Sequence, residues 1–422
     1  MIIPSIDLMQ GKAVQLKQGK EKLLEVEEVM ELARKFIKFG PLAVIDLDAA
    51  LETGSNENLI GQICQLADCR VGGGIRDVEK ARRILEMGAE KIIIGTAAWK
   101  ENRFNRDFLQ RLVDACGRSR IILALDCSQE KVVIRGWRSE TGANIFSLLD
   151  EAGQFASEIM ITLVEKEGCL QGTDINFFQK IRAATDLPVT AAGGISSVEE
   201  IAALSQMGMD VQLGMAIYSG KLKLEEALIA SLNWNKEASG LLPAVVADEI
   251  GRVLMLAWVS PESLRITFQQ GKTCFYSRSK KALWTKGETS GCFQELLRLR
   301  VDCDSDTLLF IVKQRGAGVC HKGNYSCFGT KEFRLEDLYQ IVGERIKNPP
   351  PESYTAKLTH KTVREKLVEE IAELTEAREK KEIIWEAADL LYFLTVLLAK
   401  EQVDFKEVFK ELARRRLKKP GD

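Results

Sequence analysis

The segments "IDLMQGKAV" (Ile6–Val14) and "LDCSQEKVV" (Leu125–Val133) are two versions of one pattern, 119 positions apart. "GGI" at Gly73–Ile75 recurs at Gly193–Ile195, 120 positions later, and "IIIGTAA" recurs as "VQLGMAI", with Gly95 and Gly214 119 apart. One offset relating three features marks an internal duplication. Around these segments lie eight short apolar runs: "MIIPSID", "LAVIDLD", "CRVGGGI", "KIIIGTA", "RIILALD", "EIMITLV", "LPVTAAGGI" and "VQLGMAI". Nearly unbroken apolar runs suit parallel strands covered on both faces. Stretches such as "VEKARRILEMG" and "VEEIAALSQMG" read as the helices between them. Eight strand–helix units predict a (β/α)8 TIM barrel made of two half-barrels. The first strand-to-helix connection reads as short.

The texture changes after the barrel. The 422 residues allow two to four domains. Residues 234–333 carry strand-like, Gly-punctuated segments and predict a β-rich α+β domain, leaving the barrel as residues 1–233. "RIKNPPPESY" is a Pro-rich joint, and residues 334–422 read as an all-α domain with two long amphipathic helices. A net charge of -2 gives no electrostatic argument for nucleic acid or membrane partners. No signal peptide and no bilayer-spanning run are seen. The ten Cys are scattered, which fits a reduced, cytoplasmic setting better than a disulfide framework. Only His321 and His360 occur, so carboxylates or metals must carry most of the acid–base chemistry.

In the barrel, Asp7 and Asp126 fall at the C-terminal ends of strands one and five, where such barrels keep catalytic groups. Two carboxylates facing each other across a pseudo-two-fold suit one base and one acid; singly, each would more often cap a loop. Gly73 with Gly74, Gly193 with Gly194, Gly95 with Thr96, and Gly214 each end a strand and open a helix. A lone glycine pair is more often a tight turn, but two symmetric sets point to two phosphate sites and a bisphosphate substrate. The half-barrel repeat, the Asp pair, "GGGIRD", "IIIGTAA" and "RGW" resemble the phosphoribosylformimino-AICAR ribotide isomerases of histidine biosynthesis. That resemblance implies an Amadori rearrangement of an aminoaldose to an aminoketose. Asp7 would take the C2 proton, Asp126 would open the ribose ring, and Trp137 would stack on the carboxamide imidazole. Glu167 stands at the family's acid position, and Gln15 stands where the family usually has Arg.

In the middle domain, "VDCDSDTLLF" (301–310) and "GVCHKGNYSC" (318–327) hold the chemistry. Three thiols, Cys303, Cys320 and Cys327, are one short of a closed structural zinc site, and an open fourth position suits a catalytic zinc. His321 could handle the proton of a bound water. Read as a strand, the stretch puts Asp302, Asp304 and Asp306 on one face as hard magnesium ligands and Cys303 on the other. The bland alternatives are a solvated edge for the acids and buried core thiols for the cysteines. "DCDSD", "CH", "YSRS" and "LWTKGETSG" resemble phosphoribosyl-AMP cyclohydrolase. That family opens the adenine ring with a zinc-bound hydroxide. The resemblance implies phosphoribosyl contacts from Ser277, Arg278, Trp284, Lys286, Glu288 and Thr289, and a zinc site shared across a homodimer.

In the helical domain, Glu370 and Glu373, beside Glu369, and then Glu386 and Asp389 make carboxylate pairs at i, i+3. Two such helices packed together would hold Mg²⁺, the alternative being solvated acidic faces. The ExxE…ExxD arrangement, "SYTAKL" and "ADLLYFL" resemble phosphoribosyl-ATP pyrophosphohydrolase, and the resemblance implies phosphate contacts from Lys357. The three resemblances describe consecutive steps. The sequence therefore predicts a trifunctional enzyme acting on phosphoribosyl nucleotides with Zn²⁺ and Mg²⁺. A homodimer through the middle and helical domains is expected. The alternative is a bifunctional cyclohydrolase–pyrophosphohydrolase whose barrel is non-catalytic or also isomerises phosphoribosylanthranilate.

Overall fold

The structure is a computed structural model that describes residues 1–416 except positions 135, 237, 321, 330 and 331. Eight parallel strands close into a barrel: β1 (Ile2–Met9), β2 (Leu42–Asp46), β3 (Cys69–Gly72), β4 (Lys91–Ile94), β5 (Ile121–Ala124), β6 (Glu158–Thr162), β7 (Val189–Ala192) and β8 (Asp210–Leu213). Pairing of Ile2 with Val211 and Pro4 with Leu213 closes it between β1 and β8. All eight runs predicted from the sequence are strands, because continuous Ile/Val/Leu segments are buried both against the helices and inside the barrel.

The half-barrel repeat is written in the backbone. Gly73 and Gly193 share φ values of +98° and +95°, and Gly74 and Gly194 share +62° and +79°. Gly95 (φ −102°, ψ −110°) and Gly214 (φ −117°, ψ −106°) repeat a third conformation. A Cβ on Gly73 would lie 2.2 Å from the Asp46 carbonyl oxygen, and one on Gly193 would lie 2.6 Å from that of Leu163. The glycines therefore let each loop press against its predecessor.

The first strand-to-helix connection differs from the expectation. It is not short: Lys12–Lys17 and Glu21–Val26 form an antiparallel hairpin that continues the sheet from β1. Its turn reaches the sixth loop, where Gln18 N–H donates to the Glu167 carbonyl at 3.1 Å. The fifth loop carries the repeat's counterpart, strands Cys127–Ser128, Lys131–Ile134 and Ser139–Asn144.

The middle domain is built on four strands, β9 (Leu242–Asp248), β10 (Val253–Val259), β13 (Gln294–Val301) and β14 (Leu308–Gln314), in the order β10-β9-β14-β13. A separate hairpin joins β11 (Cys274–Ser277) to β12 (Ala282–Thr285). The helix α1 (Pro261–Gln270) starts on a Ser260 capping box with Pro at its first turn. The barrel and middle domain share one hydrophobic core and form one compact unit, residues 1–329. Phe39 stacks on Phe268 at 4.5 Å, Arg298 and Arg300 both reach Asp68, and Arg265 grips Glu226 with two bonds of 2.8 and 2.9 Å. Phe39 and Asp68 precede β2 and β3, so this docking surface lies at the end of the barrel opposite the C-terminal strand ends.

The stretch from Asp302 to Thr307 is not a strand. It is the loop between β13 and β14, and the period-two reading of its acids is corrected here. The Asp302 carboxylate accepts the backbone N–H groups of Asp306 and Thr307 at 3.0 and 3.1 Å, and Ser305 takes φ +60°. Local side-chain bonds to the backbone displace the ladder.

The second unit, Thr330–Asp422, is helical among its described residues: α2 (Leu335–Lys347), α3 (His360–Glu376), α4 (Lys380–Lys400) and α5 (Phe405–Arg416). Val342, Leu358, Val363, Phe393 and Val396 make its core. No helix among the described residues is long and apolar enough to cross a membrane.

Candidate active sites

Three carboxylates gather in the barrel mouth. Asp7, at the end of β1, accepts the Ser5 hydroxyl at 2.7 Å, and burial pushes its pKa up to about 6. Asp126, just past β5, accepts the Trp137 indole N–H at 2.8 Å and is also raised by burial, against the hydrogen bonds from Trp137 and Thr162. Glu167, on the sixth loop, is raised to about 8 by burial and by the charges of Asp7 and Asp126. Three carboxyls this close cannot all ionise cheaply, so Glu167 holds a proton at neutral pH. Tyr218 donates to the Ser5 carbonyl at 3.0 Å, and its hydroxyl is raised by burial and by Asp7. Ser5, Thr162 and Tyr218 escaped the sequence reading; no motif marks them, and only the fold brings them to the acids.

Trp137 sits at φ +65° with its ring against Gly19 of the first hairpin, where a Cβ would lie 2.9 Å from Cζ3. A cleft is lined by Asp7, Glu167, Gly193, Gly194, Gly214 and Ala216, among others. It joins two of the acids to the glycine segments of the C-terminal half. Gly73, Gly74, Gly95 and Thr96 are not among its walls.

In the middle domain, Cys320 and Cys327 both follow β14, with Cys320 N–H bonded to the Asn324 carbonyl (3.2 Å) and Cys327 N–H to that of Leu254 (2.8 Å). Burial and the neighbouring Cys320 raise the Cys327 thiol. Cys303 is exposed on the Asp302–Thr307 loop, and among the described residues the three thiols do not converge. Position 321, the predicted proton carrier His321, lies outside the described residues. The carboxylates of Asp302, Asp304 and Asp306 do converge, with one oxygen of each within 4.8 Å of the others. Lys286 donates to the Val319 carbonyl at 2.7 Å, one residue before Cys320. Arg278 covers the Trp258 ring at 4.2 Å, and Trp284 packs on Phe275. Ser277 caps its turn by accepting the Lys280 N–H, and Glu288 and Thr289 are exposed beyond β12. Cys292 was not singled out by the sequence; backbone N–H groups of Gly318 and Ala317 lower its thiol pKa.

In the helical unit, Glu370, Glu373 and Glu386 place one oxygen each within 4.8 Å of the others. Burial, then Asp389 and Glu373, raise Glu370, which is 5% exposed; burial and Glu373 raise Glu386. Like charges gathered in this way make it costly for Glu370 and Glu386 to ionise together with their neighbours. Glu369 stands outside this group and pairs with Lys366 at 2.7 Å. Lys357 pairs with Glu352 at the surface.

Comparison with known proteins gives these sites their setting. The family described as histidine biosynthesis protein matches residues 1–223. The chain belongs to that family. Phosphoribosyl-AMP cyclohydrolase matches residues 255–329, and phosphoribosyl-ATP pyrophosphohydrolase matches residues 335–416. The 1-(5-phosphoribosyl)-5-((5-phosphoribosylamino)methylideneamino) imidazole-4-carboxamide isomerase of Methanocaldococcus jannaschii is 36% identical over 235 residues, 54% of this chain and 98% of that protein. The histidine biosynthesis bifunctional protein HisIE of Pyrococcus furiosus is 41% identical over 208 residues, 45% of this chain and 98% of that protein. The histidine biosynthesis trifunctional protein of Saccharomyces cerevisiae is 42% identical over 181 residues, 42% of this chain but 23% of that protein. This member of the histidine biosynthesis family is an enzyme that joins isomerase, cyclohydrolase and pyrophosphohydrolase domains in one chain.

Proposed function

We propose that the chain performs three consecutive steps in the reverse of its domain order, with domains at 1–233, 234–333 and 334–422. The helical domain hydrolyses phosphoribosyl-ATP, the middle domain opens the adenine ring of phosphoribosyl-AMP, and the barrel rearranges the aminoaldose to the aminoketose. In the barrel Asp7 is the base, and its elevation to about 6 leaves it ionised yet basic at neutral pH. Asp126, oriented by Trp137 and Thr162, is the assigned acid. Glu167 is a second reading for that role, favoured by its pKa of about 8, which keeps a proton available. The observation that carries barrel catalysis is the meeting of Asp7 and Glu167 with Gly193, Gly194 and Gly214, whose backbone suits one phosphate. Gly73, Gly74, Gly95 and Thr96 would receive the other phosphate, and Trp137 would face the imidazole.

The donor sets fit two kinds of metal. Soft thiols of Cys320 and Cys327 suit zinc, and the separation of Cys303 from them favours completion by Cys303 of a second copy, hence a homodimer. Asp302, Asp304 and Asp306 offer hard oxygens for magnesium, as do Glu370, Glu373 and Glu386 with Asp389 beside them. Zinc would supply a hydroxide at neutral pH and magnesium would neutralise phosphate charge. His321 would move the proton, Ser277, Arg278, Trp284, Lys286, Glu288 and Thr289 would hold the phosphoribosyl end, and Lys357 would meet phosphate. A cytoplasmic setting, with exposed thiols kept reduced, fits this chemistry. The test is incubation of the chain with phosphoribosyl-ATP, Mg²⁺ and Zn²⁺. The rearranged ribulosyl product should accumulate; a halt at the aminoaldose would remove the barrel's activity and leave the bifunctional alternative.

A further inference from the structure

Lys236 lies in the connection between the barrel's last helix and β9. The chain is anchored just before it: Asn233 N–H donates to the Ser305 carbonyl at 2.7 Å, and Trp234 Nε1 donates to the Ile229 carbonyl at 2.8 Å. From this anchor the Lys236 ammonium reaches both Asp304 and Asp306. These are two of the three carboxylates whose oxygens lie within 4.8 Å of one another. Asp302 is differently engaged, since its Oδ1 accepts the two backbone N–H groups that close the loop. The connection thus carries a positive charge to the point where the loop concentrates negative charge.

We infer that Lys236 is a built-in counter-cation that competes with the divalent ion for Asp304 and Asp306. The inference rests on reading Asp302, Asp304 and Asp306 as a metal site. A divalent ion there needs the carboxylate lone pairs that the ammonium N–H groups occupy, and two cations sharing these oxygens repel. Uptake of one ion therefore releases one ammonium. The release is easy, because the Lys236 side chain is 47% exposed and can turn into water. Without the ion, Lys236 offsets part of the loop's negative charge and keeps the loop bonded to the end of the barrel; with it, that tie is cut on the acid side while the Asn233–Ser305 bond persists. The fusion thereby sets the metal affinity of its middle domain from a residue outside that domain's strands.

The test is Mn²⁺ binding to the full-length, zinc-loaded protein, followed by the free-Mn²⁺ signal in electron paramagnetic resonance. Lys236→Met keeps the stem and removes the charge; it should bind the ion at this site about fivefold more tightly. Lys236→Arg should match the parent. Lys236→Gln repeats the neutralisation if the Met variant melts abnormally. Equal or weaker binding in the folded neutral variants overturns the competition. Asp304→Asn separates the two layers: it should remove one bound ion per chain. If it binds as many ions as the parent, the acidic loop is not a metal site and the underlying reading fails first.

Discussion

The pH dependence of the isomerase step follows from the barrel mouth. Asp7 titrates at about 6 and Glu167 at about 8. If Asp7 is the base and Glu167 the proton-holding partner, activity needs Asp7 ionised and Glu167 protonated. At pH 7 each condition is met in about nine-tenths of the molecules, and at pH 5 or pH 9 one of them falls to about one-tenth. The expected kcat/KM profile is a bell with limbs near 6 and 8. The value near 8 belongs to the cluster, since Asp7 and Asp126 both add to the burial that raises Glu167. Glu167→Gln removes the group that titrates near 8 while keeping its size, so the alkaline limb should vanish. If Glu167 delivers the proton, the plateau should also drop by about 10²–10⁴. The stability sign is fixed as well. Glu167 keeps its proton in the folded state up to about 8, whereas an unfolded glutamate loses it near its ordinary value of 4.5. Its contribution is therefore fully present below that lower value and is lost as pH rises through about 8. The Gln variant should gain stability relative to the parent as pH rises from 5 to about 9. The assay is the isomerase reaction alone, fed with aminoaldose, across this range. An alkaline limb unchanged in Glu167→Gln would refute the assignment.

Three further outcomes are expected. Arg70, 7% exposed inside the barrel, bridges Glu158 and Asp210, so Arg70→Met should cost about 3 kcal/mol in denaturant titration by stranding buried carboxylates; a loss under about 1 would show that Lys91 suffices for Glu158. Neutralising one member of the repelling helical cluster, Glu386→Gln, should raise the melting temperature in the absence of metal and abolish the rise that Mg²⁺ gives the parent; a lower metal-free melting temperature would contradict the repulsion. The middle domain docks at the barrel end that precedes β2 and β3, whereas Asp7 and Asp126 sit at the opposite strand ends, so the aminoaldose must cross solvent. An equimolar mixture of Asp7→Asn and Cys320→Ser chains should show the same lag to final product as the parent at equal active-site concentration, and a clearly shorter parent lag would sink that view.

What was legible in the sequence follows the range of the forces involved. The barrel was legible because each strand is one continuous apolar run and the duplication repeats both chemistry and backbone, down to Gly73 and Gly193 at φ +98° and +95°. The first hairpin was missed although "QGK" at 10–12 and again at 18–20 punctuates it with turn residues. The Asp302–Asp306 run was misread because a period of two signals a strand only when one face can be buried. Here every second residue is an acid, and Asp302 instead closes a loop on itself. Helix periodicity alone does not choose between Glu369 and Glu370 as partners of Glu373. Glu369, at i, i+4 from Glu373, is on the same side of the helix, and its bond to Lys366 holds it away from the Glu370, Glu373 and Glu386 group. The raised Glu167 had no local signature, because its pKa depends on Asp7 and Asp126, which lie more than a hundred and about forty residues earlier in the chain. The same limit applies to Lys236. As a lone lysine in a linker it reads as a solvated charge, and only the docking of the middle domain on the barrel turns it toward Asp304 and Asp306. Residue types and spacing thus report which ligands a domain owns, while the charge state of those ligands is set by neighbours that the fold supplies.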